Sequence, residues 1–300
     1  MQHKYLKQAN RGLAPPIFQH QYKMKKIKGA ILVALTLFVF IANGQGPRSY
    51  YHISNGWTDL NVSGKLAGKF SWQIENQHRR EDMQGDYNES TTTGNPYNNL
   101  NQHVFRPYIH FQANPNVRFS LMPLGWIGSN RFKDGKPSAF FAELRIAPQV
   151  ILTQQIGRLK IDHRLRYEFR WLGANQATDD KSFLYGGDFS TSTFKERFRY
   201  QLKGTIPLNK AKLEDKTLYA QAYNELFINM GENVANVNLL DQNRVLIGLG
   251  YRFNKFYSVE AGYMQQVIFR FNNADKNNVD VNNILQLNLA ISNFESLFKK

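Results

Sequence analysis

Segment after segment of this chain alternates apolar and polar residues with a period of two. Residues 161–171 read IDHRLRYEFRW. Ile161, His163, Leu165, Tyr167, Phe169 and Trp171 fall on odd positions. Asp162, Arg164, Arg166, Glu168 and Arg170 fall on even ones. Neighbouring side chains of a strand point to opposite faces, so this segment has one greasy and one heavily charged face. On a helix the same charges would be scattered around the circumference. The pattern predicts Arg166 and Glu168 on one side of a sheet and Leu165 and Tyr167 on the other. A slip of one residue would exchange the two sets completely.

The pattern recurs along the chain. Phe194, Phe198, Tyr200, Leu202 and Ile206 oppose Lys195, Arg197, Arg199, Gln201 and Lys203. Val245, Ile247, Leu249, Tyr251 and Phe253 oppose Gln242, Arg244 and Arg252. Tyr257, Val259, Ala261 and Tyr263 oppose Glu260, Met264 and Gln266, and Leu285, Leu287, Leu289 and Ile291 oppose Gln286, Asn288 and Ser292. Further strands are predicted at 69–80, 102–113, 117–130, 138–153 and 217–229. These strands run to about 10–15 residues, whereas soluble strands average about 5–6 and tilted bilayer-spanning strands need about 9–11. Short gaps at 63–68, 114–116, 155–157 and 254–255, with a longer one at 207–216, alternate with longer gaps at 81–100, 131–137, 173–193, 230–239 and 272–281. Short periplasmic turns and long external loops alternate in this way in outer-membrane barrels. The fold expected is all-β, an antiparallel up-and-down transmembrane barrel. Ten strands run from 69 to 291, with a further candidate at 50–62. Even counts are the rule for bacterial single-chain barrels, so ten strands are favoured and twelve are the alternative.

One apolar run stands apart, AILVALTLFVFIA at 30–42. It follows Met24-Lys25-Lys26-Ile27-Lys28 and ends at Ala42-Asn43-Gly44. A basic start, a short apolar stretch and a small-x-small end read as a secretory signal peptide over 24–44, with mature protein from Gln45. A helix of that length reaches only about 20 Å, short of the ~30 Å needed to span a bilayer. Residues 1–23 fit no part of the pattern and read as a doubtful upstream extension, which leaves 45–300 as the barrel domain.

Composition narrows the chemistry. The chain holds 38 Lys and Arg against 23 Asp and Glu. Residues 1–44 carry seven of those bases and no acid, so the exported part has 31 against 23. That moderate excess, with Arg and Glu interleaved along strand faces, does not call for nucleic acid. The absence of Cys excludes disulfide scaffolds and thiolate metal sites. A mean hydropathy of −0.50 excludes a polytopic helical membrane protein. The five histidines after residue 44 (His52, His78, His103, His110 and His163) form no HExxH, and no GxSxG, Walker or GxGxxG motif is present. No catalytic residue, metal site or cofactor is expected. The acids Asp179, Asp180 and Asp188 in the 173–193 gap are the remaining candidates for a cation or an omptin-like protease site. The charged faces are the richer feature. They predict a lumen lined by Glu143, Arg145, Arg164, Arg166, Glu168, Arg170, Arg197, Arg199, Glu225, Arg244, Arg252 and Glu260. Such a wall either fills a narrow barrel with ion pairs or prefers anions in a pore.

Taken together, KFSWQIENQHRR (69–80), Arg106-Pro107, HRLRYEFR (163–170), RFRYQL (197–202) with Ile206-Pro207-Leu208, Asn224-Glu225-Leu226-Phe227, Gln242-Asn243-Arg244, GLGYRF (248–253) and EAGYMQ (260–265) resemble the domain-of-unknown-function family DUF2490 of Gram-negative outer-membrane barrels. The resemblance implies an outer-membrane location and supplies no catalytic residues. Outer-membrane barrels often end in an aromatic residue that the assembly machinery reads, and Phe294 and Phe298 are the candidates here. The expected function is a structural or small-solute channel component, its partners being outer-membrane lipid, the barrel-assembly machinery and small anionic solutes. The alternatives are an outer-membrane enzyme, protease or lipid-modifying, and a soluble exported ligand-binding barrel.

Overall fold

A computed structural model describes residues 48–82, 94–133, 136–176, 186–234, 239–270 and 278–298, with the backbone alone at 133, 136 and 137. The segment expected to be removed on export, and the pair Asp179-Asp180, lie outside the described residues.

Eleven strands form one closed barrel. They are β1 (Ser49–Lys65), β2 (Phe70–Glu81), β3 (Asn99–Asn114), β4 (Val117–Lys133), β5 (Lys136–Ile156), β6 (Leu159–Ala174), β7 (Asp188–Pro207), β8 (Thr217–Met230), β9 (Leu240–Arg252), β10 (Tyr257–Phe269) and β11 (Asn278–Ile291). Each pairs antiparallel with the next in sequence, and β1 closes the ring against β11. That last pairing is parallel, in continuous register from Ser49↔Asn278 to Val62↔Ile291.

The parity rule therefore misleads. The barrel has eleven strands rather than ten or twelve, and the extra one is the 50–62 candidate lengthened at both ends. A parallel ladder also satisfies the backbone groups of both strands. An odd count thus leaves no open edge.

Tight turns join the strands at one rim. Asn114 pairs with Val117 around Pro115-Asn116. Ile156 pairs with Leu159 around Gly157-Arg158, and Gly157 takes a left-handed φ of 58°. That conformation strains most other residues, which is why glycine sits there. The opposite rim carries the connections after β2, β6, β8 and β10. The 131–137 stretch, expected as a long gap, is mostly strand: β4 and β5 stay paired as far as Lys133↔Lys136. Past Ile291 the chain forms a 3-10 turn, Phe294–Leu297, on the tight-turn rim. Glu295 Oε2 accepts from the Lys65 amide at 3.1 Å, and Phe294 packs edge-on to Trp72.

The two faces of the wall differ sharply. Ile247, Leu249, Leu285 and Leu124 point outward with more than half their surface exposed. Arg197 and Arg199 on β7, Glu168 on β6 and Glu225 on β8 are buried inside. Leu165 is exposed, whereas Arg166 and Glu168 on the opposite face of the same strand are buried. Phe70 and Phe111 pack on the outer wall toward the tight-turn rim, as do Tyr251 and Phe253, while Trp171 and Phe194 pack toward the other rim.

Candidate functional site

The interior is built around two acids. Glu168 on β6 is fully buried, and register places it opposite Arg197 on β7. Arg197 donates to it through Nε and Nη2 at 3.0 and 2.7 Å, and Arg199 donates through Nη1 at 2.5 Å. Glu225 on β8 accepts from Arg199 at 3.0 and 2.7 Å and from Arg164 at 2.6 Å. Arg199 therefore bridges both acids. Arg197 turns its remaining terminal nitrogen to Asp241 at 2.6 Å. Carboxylates ringed by guanidinium forks in this way are among the strongest side-chain contacts a protein makes. Taking such charges out of water requires this degree of pairing.

A second cluster lies toward the loop rim. Glu143 on β5 holds Arg170 through a two-toothed contact at 2.6 and 3.0 Å and also takes Arg145. Arg106 on β3 pairs with Glu75 on β2. Arg166 is held by a neutral group: it donates twice to Gln149 Oε1, at 2.9 and 2.6 Å. Glu260 accepts from the Tyr219 hydroxyl at 2.7 Å and from Asn288 at 3.0 Å. A Cβ on the facing Gly250 would collide with the Tyr219 ring, so glycine leaves room for that contact.

Arg252 stands apart from the other sequence candidates. It lies at the tight-turn rim and donates to the carbonyls of Asn254 and Leu213, both at 3.3 Å. Asp188 also has a local role, accepting from the Ser190 amide at 2.9 Å and its hydroxyl at 2.6 Å. Among the described residues no three His, Asp or Glu side chains gather as a metal site.

The charges divide the interior into two chambers. The larger, about 410 Å³, lies toward the tight-turn rim and includes Asp59, Arg164, Lys203 and Glu260 in its wall. The smaller, about 270 Å³, lies toward the loop rim and includes Glu143, Arg145 and Arg170. Trp57, Arg79, Arg106, Arg199 and Arg244 line both chambers and form a waist between them. Trp57 anchors the waist. Its ring packs with Leu246, Met264 and Ile284, all buried, and carries the Arg79 guanidinium at 3.9 Å and that of Arg244 at 5.2 Å. Phe227 carries Arg199 at 4.3 Å and Arg244 at 4.6 Å. Guanidinium groups stack readily on aromatic faces.

Sequence reasoning missed Trp57 and Asp59, because parity set β1 aside. The signal for them was present: Ile53, Asn55, Trp57 and Asp59 occupy alternate, inward positions of β1 and are all buried.

Residues 54–278 match a family described as "Protein of unknown function (DUF2490)". No curated protein matches the chain.

Proposed function

This chain belongs to the DUF2490 family, and from that premise we propose that it is a bacterial outer-membrane barrel with a constricted, positively biased passage for small solutes. The carrying observation is the inversion of the wall. Aliphatic side chains cover the outside, with Ile247 61% exposed, while Arg and Glu fill the inside. A soluble ligand-binding barrel puts its apolar face inward and its polar face in water. A barrel in lipid does the reverse, because a cation at the midplane of its lipid face costs about 2–4 kcal/mol. Aromatic pairs toward both rims suit the two interfaces of a bilayer.

In this reading the apolar run at 30–42 directs export and is removed. The assembly machinery inserts the barrel, and outer-membrane lipid surrounds it. The interior favours small anions, because guanidinium groups outnumber carboxylates at the waist. Passage is narrow, since Trp57, Arg79 and Arg244 occupy the space between the chambers. Conductance across a planar bilayer tests this. The wild-type barrel should give small, anion-selective steps, and Trp57→Ala should enlarge them. Silence from both proteins, each verified as inserted, would reject the passage and leave a structural barrel.

A further inference from the structure

We propose that the waist is a binding site for a small oxyanion of the phosphate type, seated on the small-chamber side of Trp57 between Arg79 and Arg244. The proposal rests on the interior being a solute passage, and it names the solute class that the passage would hold.

Two of the waist arginines, Arg79 and Arg244, differ from the others there and from those around them. Arg164, Arg170, Arg197 and Arg199 each lie within 2.7 Å of a carboxylate oxygen. Arg79 and Arg244 make no ion pair among the described residues, although both are about nine-tenths buried. Arg79 donates to two amide oxygens, Gln77 Oε1 at 2.5 Å and Gln102 Oε1 at 2.7 Å. The hydrogen bonds of the Arg244 guanidinium likewise go to amides. It donates to Gln242 Oε1 at 3.3 Å, and the Gln266 amide, turned to present its oxygen, accepts from it at 3.0 and 3.2 Å. Both cations lie on the one Trp57 ring. Arg106, also at the waist, is paired with Glu75 but keeps a buried Nε with no hydrogen-bond partner.

Two like charges on one indole, largely out of water and with no carboxylate in contact, repel each other. The nearest acids, Asp59 near Arg79 and Glu225 opposite Arg244, stand beyond ion-pair distance. An anion between the two guanidinium groups would relieve the repulsion. The amides hold each guanidinium in place without cancelling its charge. Gln102, Gln242 and Gln266 all line the small chamber, which also has the volume for such an ion. Asp59, whose Oδ1 lacks a partner, lines only the large chamber beyond Trp57 and would repel an anion there. The acids bordering the small chamber, Glu81 and Glu143, are engaged with Asn101 and with Arg145 and Arg170. Planar forks suit an oxyanion, which accepts several hydrogen bonds at once, better than a spherical halide.

The test uses the full barrel folded into lipid nanodiscs, with inorganic phosphate as the probe. Saturable binding by calorimetry is expected, with a change in tryptophan emission that disappears in Trp57→Phe while binding remains. Arg79→Gln and Arg244→Gln should each weaken binding about tenfold or more, the loss of one charge-assisted contact. Arg252→Gln, at the rim, should bind as wild type. Sulfate should compete and chloride should not. Should a glutamine variant fail to fold, Arg244→Lys, which keeps the charge and loses the fork, should still weaken binding. Phosphate binding insensitive to Arg79 and Arg244, or equal competition by chloride, would overturn the site. A barrel that binds phosphate without conducting would reject the passage and keep the site; one that conducts without binding phosphate would do the opposite.

Discussion

Glu168 is the side chain on which the interior most depends. It receives Arg197 and Arg199 directly, with Arg145 at 3.7 Å and Arg166 at 3.9 Å. Removing one member of a buried charge network leaves the others uncompensated, at a cost of about 3–5 kcal/mol. Glu168→Gln keeps the shape and removes the charge, so it should destabilise the lipid-folded barrel by about that amount in urea titrations. A cost below 1 kcal/mol would mean that water already screens this cluster. The buried placement of Glu168 was legible from IDHRLRYEFRW, where charge alternates strictly with bulk. Its partners were not legible. Which arginine meets which acid depends on the register between β6 and β7, and only pairing such as Glu168↔Arg197 sets it. Arg252 shows the limit of alternation: it follows the period of β9 but stands at the rim, because a period gives a face and not a depth.

β1 is the element that sequence periodicity handled least well. Its inward positions alternate, but His52 and Thr58 on the outer side are exposed and polar, so the strand lacks the greasy face that marked the others. Parity then argued against it. The parallel seam with β11 outweighs both, because it satisfies the backbone of both edges. The seam pairs Leu60 with Leu289, both outward and about equally exposed. The chain has no cysteine of its own. Leu60→Cys with Leu289→Cys should therefore cross-link on mild oxidation, since neighbouring strands bring such pairs within disulfide reach. A cysteine at Leu60 that stays free, in a barrel that otherwise folds, would show β1 pairing elsewhere. The nine antiparallel pairings from β2 to β11 were easier to read, because long alternating runs punctuated by Asn, Gly and Pro turns give both length and order.

For the molecule as a whole, the odd strand count has a consequence for sidedness. Ser49 opens β1 at the rim that carries the long connections, and Ile291 closes β11 at the tight-turn rim. If the long loops face the medium, a tag placed directly before Ser49 should be reached by antibody on intact cells, as should a tag in the 173–193 loop. A tag after Phe298 should be reached only once the outer membrane is disrupted. The reverse pattern would turn the barrel over. Membrane residence itself is most directly tested at Ile247, the most exposed aliphatic side chain of the β9 wall. Its cross-strand neighbours are Ala222 and Tyr263, both uncharged, so a substitution there touches the outer wall rather than the buried charges. The free energy of folding into bilayers should be measured for wild type and for Ile247→Arg. An outer wall in lipid predicts a loss of about 2–4 kcal/mol; a cost near zero would mean that this wall faces water and that the barrel does not span a membrane.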